Sequence, residues 1–168
     1  MSNGKKVLLI ISGGISAYKS LELIRELKVR NIKVRCILTT AGSQFVTPLS
    51  VEALTGDKVY QDLFSLTEKN EMGHIELSRD ADLIVIAPAT ANIIAKMRAG
   101  IADDLATTAL IATDKSVLIA PSMNVRMWEH ASTQSNMIEL QQRGVNVIGP
   151  ETGNMACGEY GVGRMSEP

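Results

Sequence analysis

Short apolar runs recur along the chain and define its expected architecture. They cover residues 7–11, 34–38, 83–87, 116–120 and 145–148. The run Leu83–Ala87 shows no polar alternation, which is typical of a strand covered on both faces in a parallel sheet. Pro88 and Pro121 follow two of the runs, and proline cannot donate a hydrogen bond to a strand ladder. The pattern therefore predicts five buried strands, with residues 7–11 as the central first strand.

Segments with helical periodicity separate these runs. Leu21, Ile24 and Leu27 recur on one face of a helix expected from about residue 15 to 30. Further helices are expected at 41–54 in two pieces, from 93 to a stop at Gly100, at 105–113, and in a stretch ending at Arg143. The order β-α-β-α-β-α-α-β-α-β predicts a doubly wound parallel sheet. We therefore expect a single Rossmann-like or flavodoxin-like α/β/α domain.

Two segments have no periodic pattern. Residues 56–72 are polar and irregular, which indicates a surface loop. The segment from Pro150 to Pro168 is rich in glycine, and such segments are either disordered tails or ordered functional loops. Its methionines, Cys157 and Tyr160 favour the second interpretation.

The composition excludes several classes of protein. The 17 basic and 18 acidic residues nearly balance and form no basic block, which argues against nucleic-acid binding. No apolar run approaches the roughly 20 residues of a membrane span. Cys36 and Cys157 are far apart and form no CxxC pair, and no signal-peptide pattern is present. We therefore expect a cytoplasmic protein without a disulfide framework or metal, with Cys36 inert in the core.

Small polar residues follow three of the expected strands. They are Ser12-Gly13-Gly14, Thr39-Thr40, and the Thr90 to Asn92 turn. Open α/β sheets bind ligands at the carboxyl ends of their strands, and helix amino ends suit anions. The chain lacks both the GxGxxG fingerprint and the acidic residue that would hold a ribose, which favours a mononucleotide over NAD. Turns required only for tight packing remain the alternative.

Five separated segments together resemble one family. They read SGGISAYKS (Ser12–Ser20), GHIEL (Gly73–Leu77), APATAN (Ala87–Asn92), PSMNVRMW (Pro121–Trp128) and ACGEYGVGRM (Ala156–Met165). Over nearly its whole length the chain resembles the homo-oligomeric flavin-containing cysteine decarboxylases, and the last segment is similar to the branch that acts on phosphopantothenoylcysteine. The resemblance implies FMN as cofactor and production of 4′-phosphopantetheine for coenzyme A. The implied route is oxidation of the thiol to a thioaldehyde, loss of CO2, and reduction of the enethiolate.

The resemblance also implies functional residues. His74 would assist thiol deprotonation, Asn124 would bind the substrate carboxylate, and Cys157 would protonate the late intermediate from a flap at about residues 151–168. Cofactor contacts are expected at Gly13, Gly14, Ile15, Thr39, Ser43, Phe45, Ala89, Thr90, Ala91 and Asn92. Further substrate contacts are expected at Met123, Ala156 and Arg164. Because guanidinium groups bind phosphate through two parallel hydrogen bonds, Arg126 and Arg164 are candidate partners of the substrate phosphate, with surface or interface salt bridges as the alternative.

The family further implies a homotrimer or dodecamer with flavin sites between subunits. It also implies a phosphopantothenate-cysteine ligase, fused or separate, and the sequence leaves open whether this chain is stand-alone or part of a longer protein. Two other functions remain possible on the sequence: a peptidyl-cysteine decarboxylase of lantibiotic biosynthesis, and a non-catalytic flavin-binding regulatory relative.

Overall fold

A six-stranded parallel sheet forms the centre of the protein. The computed structural model describes residues 4–64 and 73–168. The strands are β1 (Lys6–Ile11), β2 (Lys33–Leu38), β3 (Val59–Tyr60), β4 (Leu83–Ala89), β5 (Ser116–Pro121) and β6 (Asn146–Val147). Their order is β3-β2-β1-β4-β5-β6, and each neighbouring pair is parallel. The predicted doubly wound single domain is confirmed.

Helices cover both faces of this sheet. They are α1 (Ala17–Val29), α2 (Pro48–Thr55), α3 (Gly73–Asp80), α4 (Ala91–Ala99), α5 (Leu105–Ala112), α6 (Val125–Glu129) and α7 (Ala131–Gln142). A 3-10 turn at Gly42–Gln44 precedes α2, so the stretch predicted at 41–54 is helical in two pieces. Among the described residues, no helix combines the length and apolarity needed to cross a bilayer.

Alternate side chains of each strand enter two separate cores. Leu8 and Ile10 of β1 pack with buried residues of α3, α4, α5 and α7. Leu9 and Ile11 pack on the other face with buried residues of α1 and α2. Cys36 lies in this second core, where burial, and to a lesser extent the charge of Asp57, raises the pKa of its thiol to about 12. The expectation that Cys36 is a core residue is confirmed.

Capping residues fix where the helices start and stop. Thr90 Oγ1 accepts a hydrogen bond from Ile93 N at 3.4 Å at the start of α4. Asp104 Oδ1 accepts from Thr107 N at 2.8 Å at the start of α5. Gly100 ends α4 in the left-handed conformation, with φ of 72°. The end of α4 at Gly100 and the start of α5 at Leu105 match the predicted helix bounds, whereas α4 begins two residues before the predicted start.

Some elements differ from the sequence-based expectation, and one decides between two alternatives that the sequence left open. Strand β3 lies inside the predicted loop at 56–72, because Val59 and Tyr60 pair with β2 at the sheet edge; that part of the loop prediction is wrong, and residues 65–72 lie outside the described residues. Helices α3 and α6 were not predicted. The glycine-rich segment is ordered as an antiparallel hairpin, β7 (Glu151–Asn154) and β8 (Tyr160–Arg164).

Candidate functional site

A cleft of about 850 Å³ opens at the carboxyl-terminal edge of the sheet. It lies where the strand order reverses between β1 and β4, the position at which open α/β sheets bind ligands. The loops after β1, β2, β4 and β5 line it together with the β7–β8 hairpin. Its volume lies within the range of ordinary cofactor and substrate pockets.

The glycine turn after β1 serves two different purposes. A Cβ on Gly13 would lie 2.7 Å from the carbonyl carbon of Ala41, so only glycine fits without backbone movement. A Cβ on Gly14 would meet only Thr90 Cγ2, at 3.7 Å. Gly13, Gly14 and Ile15 all line the cleft. Gly13 is therefore required by packing, whereas Gly14 leaves the backbone open to a ligand.

The start of α4 lies at the cleft. Thr90, Ala91 and Asn92 line it, and the first-turn N–H groups of a helix carry partial positive charge. Thr39 and Thr40, at the end of β2, add hydroxyl groups to the same wall. This arrangement suits a phosphate group better than an apolar ligand.

Asn124 holds its amide in a defined orientation. Its Oδ1 accepts a hydrogen bond from Met127 N at 2.8 Å and caps α6. Because the cap uses the oxygen, the amide nitrogen is the atom that Asn124 can offer to a ligand in the cleft. Met123 lines the cleft beside it.

The β7–β8 hairpin brings Cys157 to the same cleft. Cys157 is exposed in a tight turn, in which Gly158 N–H donates to Met155 O at 2.9 Å. Met123 N–H donates to Gly163 O at 3.0 Å, which attaches the hairpin to the loop that precedes α6. Asn124 and Cys157 are thereby placed on one cleft, as are the predicted contacts Ala156 and Arg164.

A buried lysine, which sequence reasoning did not identify, anchors the end of the hairpin. The Lys19 side chain is only 4% exposed and lines the cleft. Its Nζ donates to Met165 O at 2.7 Å and to the Glu167 carboxylate at 2.8 Å, and Arg164 donates to the same carboxylate at 2.8 Å. The hydrogen bond from Lys19, followed by that from Arg164, lowers the pKa of Glu167. The sequence offered one signal for this contact: Lys19 is a charged residue among the buried positions of α1.

Several predicted residues do not line the cleft of the single chain. His74 is half-buried in the first turn of α3, and Arg126 is exposed on α6. Ser43 Oγ donates to Thr40 O at 2.7 Å, and Phe45 is 49% exposed beyond the 3-10 turn. The side chain of Ala89 is fully buried in β4. Across residues 4–64 and 73–168, no group of three or more His, Cys, Asp or Glu could hold a metal ion.

Comparison with characterised sequences gives a consistent assignment. The Flavoprotein family model matches residues 1–168. The chain is 48% identical over 165 residues to the coenzyme A biosynthesis bifunctional protein CoaBC of Vibrio vulnificus, covering 98% of this chain and 41% of that protein. It is 44% identical over 168 residues to CoaBC of Bacillus subtilis, again with 41% of that protein covered. The chain thus spans about two-fifths of the length of these relatives.

Solved structures share the fold over nearly the whole chain. A PPC decarboxylase mutant complexed with pantothenoylaminoethenethiol superimposes with a TM-score of 0.85 at 32% identity, covering 98% of this chain and 92% of that one. The FMN-dependent cysteine decarboxylase SpaF gives 0.82 at 28% identity, with 96% and 90% covered. The FMN binding protein AtHal3 gives 0.82 at 33%, with 98% and 91% covered. Since the family model matches from end to end, this chain belongs to the Flavoprotein family.

Proposed function

We propose that this chain catalyses the FMN-dependent decarboxylation of 4′-phosphopantothenoylcysteine to 4′-phosphopantetheine in coenzyme A biosynthesis. One observation carries the proposal: a single cleft is lined by the Gly14 turn, the Thr90 cap, Asn124 and Cys157. The relatives named for coenzyme A biosynthesis support the choice of substrate.

The described residues of the cleft fit FMN. The first turn of α4 suits the phosphate, and the cleft is large enough for a tricyclic ring. Ile15 and Tyr18, each 59% exposed, border the cleft and provide apolar surface for a ring or for a second subunit. When bound, the flavin would accept two electrons from the thiol carbon, so that CO2 leaves from the position beta to a C=S group.

Asn124 would orient the carboxylate that is lost. Its amide nitrogen can donate to the carboxylate without adding a formal charge. A lysine or arginine in that place would stabilise the carboxylate ground state and so oppose loss of CO2. The helix cap on Oδ1 holds the amide in this orientation before substrate arrives.

Cys157 would supply a proton at the end of the reaction. The hairpin from Glu151 to Arg164 carries the thiol, and we propose that it acts as a flap, with residues up to 168 completing it. Arg164, which lines the cleft on β8, would bind the substrate phosphate bidentately. Arg126 does not line the cleft of the single chain and is the weaker candidate.

His74 would act in the cleft of a neighbouring subunit. It does not line the cleft of its own chain, yet the reaction needs a base near the thiol. A homotrimer, or a dodecamer of trimers, would allow α3 of one subunit to complete the site of the next. The two free thiols are compatible with a reducing cytoplasm. The remaining length of the relatives would carry the ligase activity, fused or supplied separately.

The competing function is decarboxylation of a peptide that ends in cysteine. SpaF, described as a cysteine decarboxylase, is 28% identical, whereas the CoaBC relatives reach 48%. A non-catalytic flavin-binding protein would not need Asn124 and Cys157 on one cleft. The identities favour the phosphorylated small molecule over a peptide, and the shared cleft favours a catalytic protein.

The direct test is turnover by purified protein that carries FMN. We expect 4′-phosphopantetheine from 4′-phosphopantothenoylcysteine, and no change in a peptide ending in cysteine, with products identified by mass spectrometry. Cys157→Ser should release CO2 but accumulate the enethiol. Failure of the FMN-loaded protein to release CO2 would refute the proposed function, and normal product from Cys157→Ser would refute the role of the thiol.

Subunit complementation tests the position of His74. His74→Asn and Asn124→Asp subunits should each be inactive, whereas randomly mixed oligomers should recover about a quarter of wild-type activity, because a site then needs one intact residue from each neighbour. If the two residues act within one chain, verified mixed oligomers stay inactive.

A further inference from the structure

The end of β4 leaves the regular pairing of the sheet just before the cleft. Pairing with β1 reaches Ile86, opposite Ile10, and stops there. Pairing with β5 shifts register between Ile86 and Ala89. Ala87 and Pro88 therefore form an irregularity, and proline has no N–H for a ladder. Bulges of this kind redirect the chain next to functional sites, here into the turn that starts α4.

Serine hydroxyls bind the carbonyl groups of this irregular end. Ser20 Oγ, fully buried in α1, donates to Ala87 O at 2.6 Å. Ser12 Oγ, also buried, donates to Pro88 O and accepts from Thr90 N at 3.3 Å. The two hydroxyls thus connect α1 and the end of β1 to the backbone that leads into α4.

Ser20 has no other evident reason to be polar. It lies in the interior of α1, where alanine is a better helix former. Its position is completely buried, and it does not line the cleft. A buried hydroxyl is unfavourable unless it is hydrogen-bonded, and its bond goes to β4 rather than to its own helix.

We propose that Ser20 is a positioning residue that, together with Ser12, holds the Thr90–Asn92 turn in the geometry that receives an anionic ligand. The identity of that ligand as FMN phosphate rests on the proposed function. Loss of the Ser20 hydroxyl leaves the Ala87 carbonyl without this donor and frees the turn to move, although no atom that contacts the ligand has changed.

The chain offers a matched control for this test. Ser78 is as fully buried as Ser20, but its Oγ donates to Ile75 O at 2.9 Å within its own helix, α3. Ser20→Ala and Ser78→Ala therefore remove the same atom from equally buried sites. Two readouts are compared: the dissociation constant for FMN, and the hydrogen-exchange rates of the turn amides at residues 90–93 in protein without FMN.

We expect Ser20→Ala to weaken FMN binding about tenfold and to speed exchange at residues 90–93 by a similar factor, consistent with the loss of one buried hydrogen bond. Ser20→Thr keeps a donor and should restore both values. Ser78→Ala should lower thermal stability without changing either. Equal behaviour of the two alanine variants in both readouts overturns the proposal.

Failure of the proposed function is recognisable separately. If wild-type protein binds no FMN, that function fails, and the exchange rates still decide whether Ser20 positions the turn. If Ser20→Ala does not fold, Ser12→Ala serves as a second variant, because it removes the hydroxyl that bonds Pro88 O and Thr90 N. Unchanged exchange at residues 90–93 in Ser12→Ala would then overturn the proposal.

Discussion

The two edges of the central sheet each carry a depression, of about 850 Å³ at the carboxyl-terminal edge and about 660 Å³ at the amino-terminal edge. At the amino-terminal edge, charged side chains pair with each other. Asp80 accepts from Lys6 Nζ at 2.6 Å and lies 3.3 Å from Arg35. Asp57 lies 3.5 Å from the same guanidinium. The described charges of this edge are largely satisfied within the protein.

Polar groups at the carboxyl-terminal edge keep capacity for a ligand. Asn124 uses its oxygen for a cap and keeps its amide nitrogen. The first turn of α4 lines the cleft, and Gly14 leaves the backbone accessible. The comparison teaches that volume alone does not distinguish a binding site from a surface groove. A binding site is distinguished by polar atoms that line the space and still have hydrogen-bonding capacity.

The largest expected difference between the edges is in catalysis. Asn124→Asp can still cap α6 through a carboxylate oxygen, but it loses the amide donor and repels the substrate carboxylate. We expect kcat/KM to fall at least about 100-fold with little change in thermal stability. Arg35→Gln, at the opposite edge, should change kcat/KM less than about twofold, because it removes only surface ion pairs. Comparable losses in steady-state assays of both variants would remove the distinction.

A smaller difference is expected in stability within the glycine turn. Gly13→Ala places a methyl group against the backbone of Ala41, and we expect a loss of about 1–3 kcal/mol in the free energy of unfolding. Gly14→Ala meets only ordinary contacts and should stay within about 0.5 kcal/mol of wild type. Urea denaturation measures both, and equal losses would contradict the assignment of Gly13 to packing and Gly14 to ligand access.

The smallest expected effect is a response to acid at each edge. Hydrogen bonding to Lys6 is the main cause that lowers the pKa of Asp80, and hydrogen bonding to Lys19 is the main cause that lowers the pKa of Glu167. Both carboxyl groups have a lower pKa in the folded protein than in the unfolded chain. Each therefore stabilises the folded protein at pH values above its unfolded pKa, and this stabilisation is lost as the pH falls through its folded-state pKa. Below roughly pH 4, amides of β8 should exchange faster in wild type.

Substitutions separate the two responses to acid. Glu167→Gln should remove the acid step from the β7–β8 hairpin and leave the amino-terminal edge unchanged, whereas Asp80→Asn should do the reverse. Hydrogen exchange, corrected for the intrinsic pH dependence of amides, measures each region. A pH response of β8 that persists in Glu167→Gln would show that another group controls it.

Sequence reasoning predicted the parts of the fold that leave a local signal. Apolar runs marked the long strands, and Gly100 marked the end of a helix. Strand β3 has two residues, too few for a period, and α3 has only eight, so its apolar positions recur over barely two turns. These elements depend on tertiary contacts rather than on local pattern.

The sequence predicted some residues of the candidate site but not how distant residues come together. The turn residues follow strands and could be located by their spacing. The placement of Asn124 and Cys157 on one cleft depends on the docking of the hairpin, which no spacing reveals. The contact between Lys19 and Glu167 joins distant parts of the chain and was not predicted. The functional roles of all the predicted site residues stay predictions, and Ser43, Phe45 and His74 do not line the cleft of the single chain.

The most direct test of the central claim is the amount of FMN that denatured, purified protein releases per chain. The claim is that the carboxyl-terminal edge of this sheet holds a phosphorylated flavin. We expect one FMN per chain in wild type and in Arg35→Gln, and strongly reduced FMN in Gly14→Ala, because its methyl group would cover the backbone that faces the cleft. Protein that contains no FMN and cannot be reconstituted with it, or equal FMN content in all three proteins, would contradict the claim.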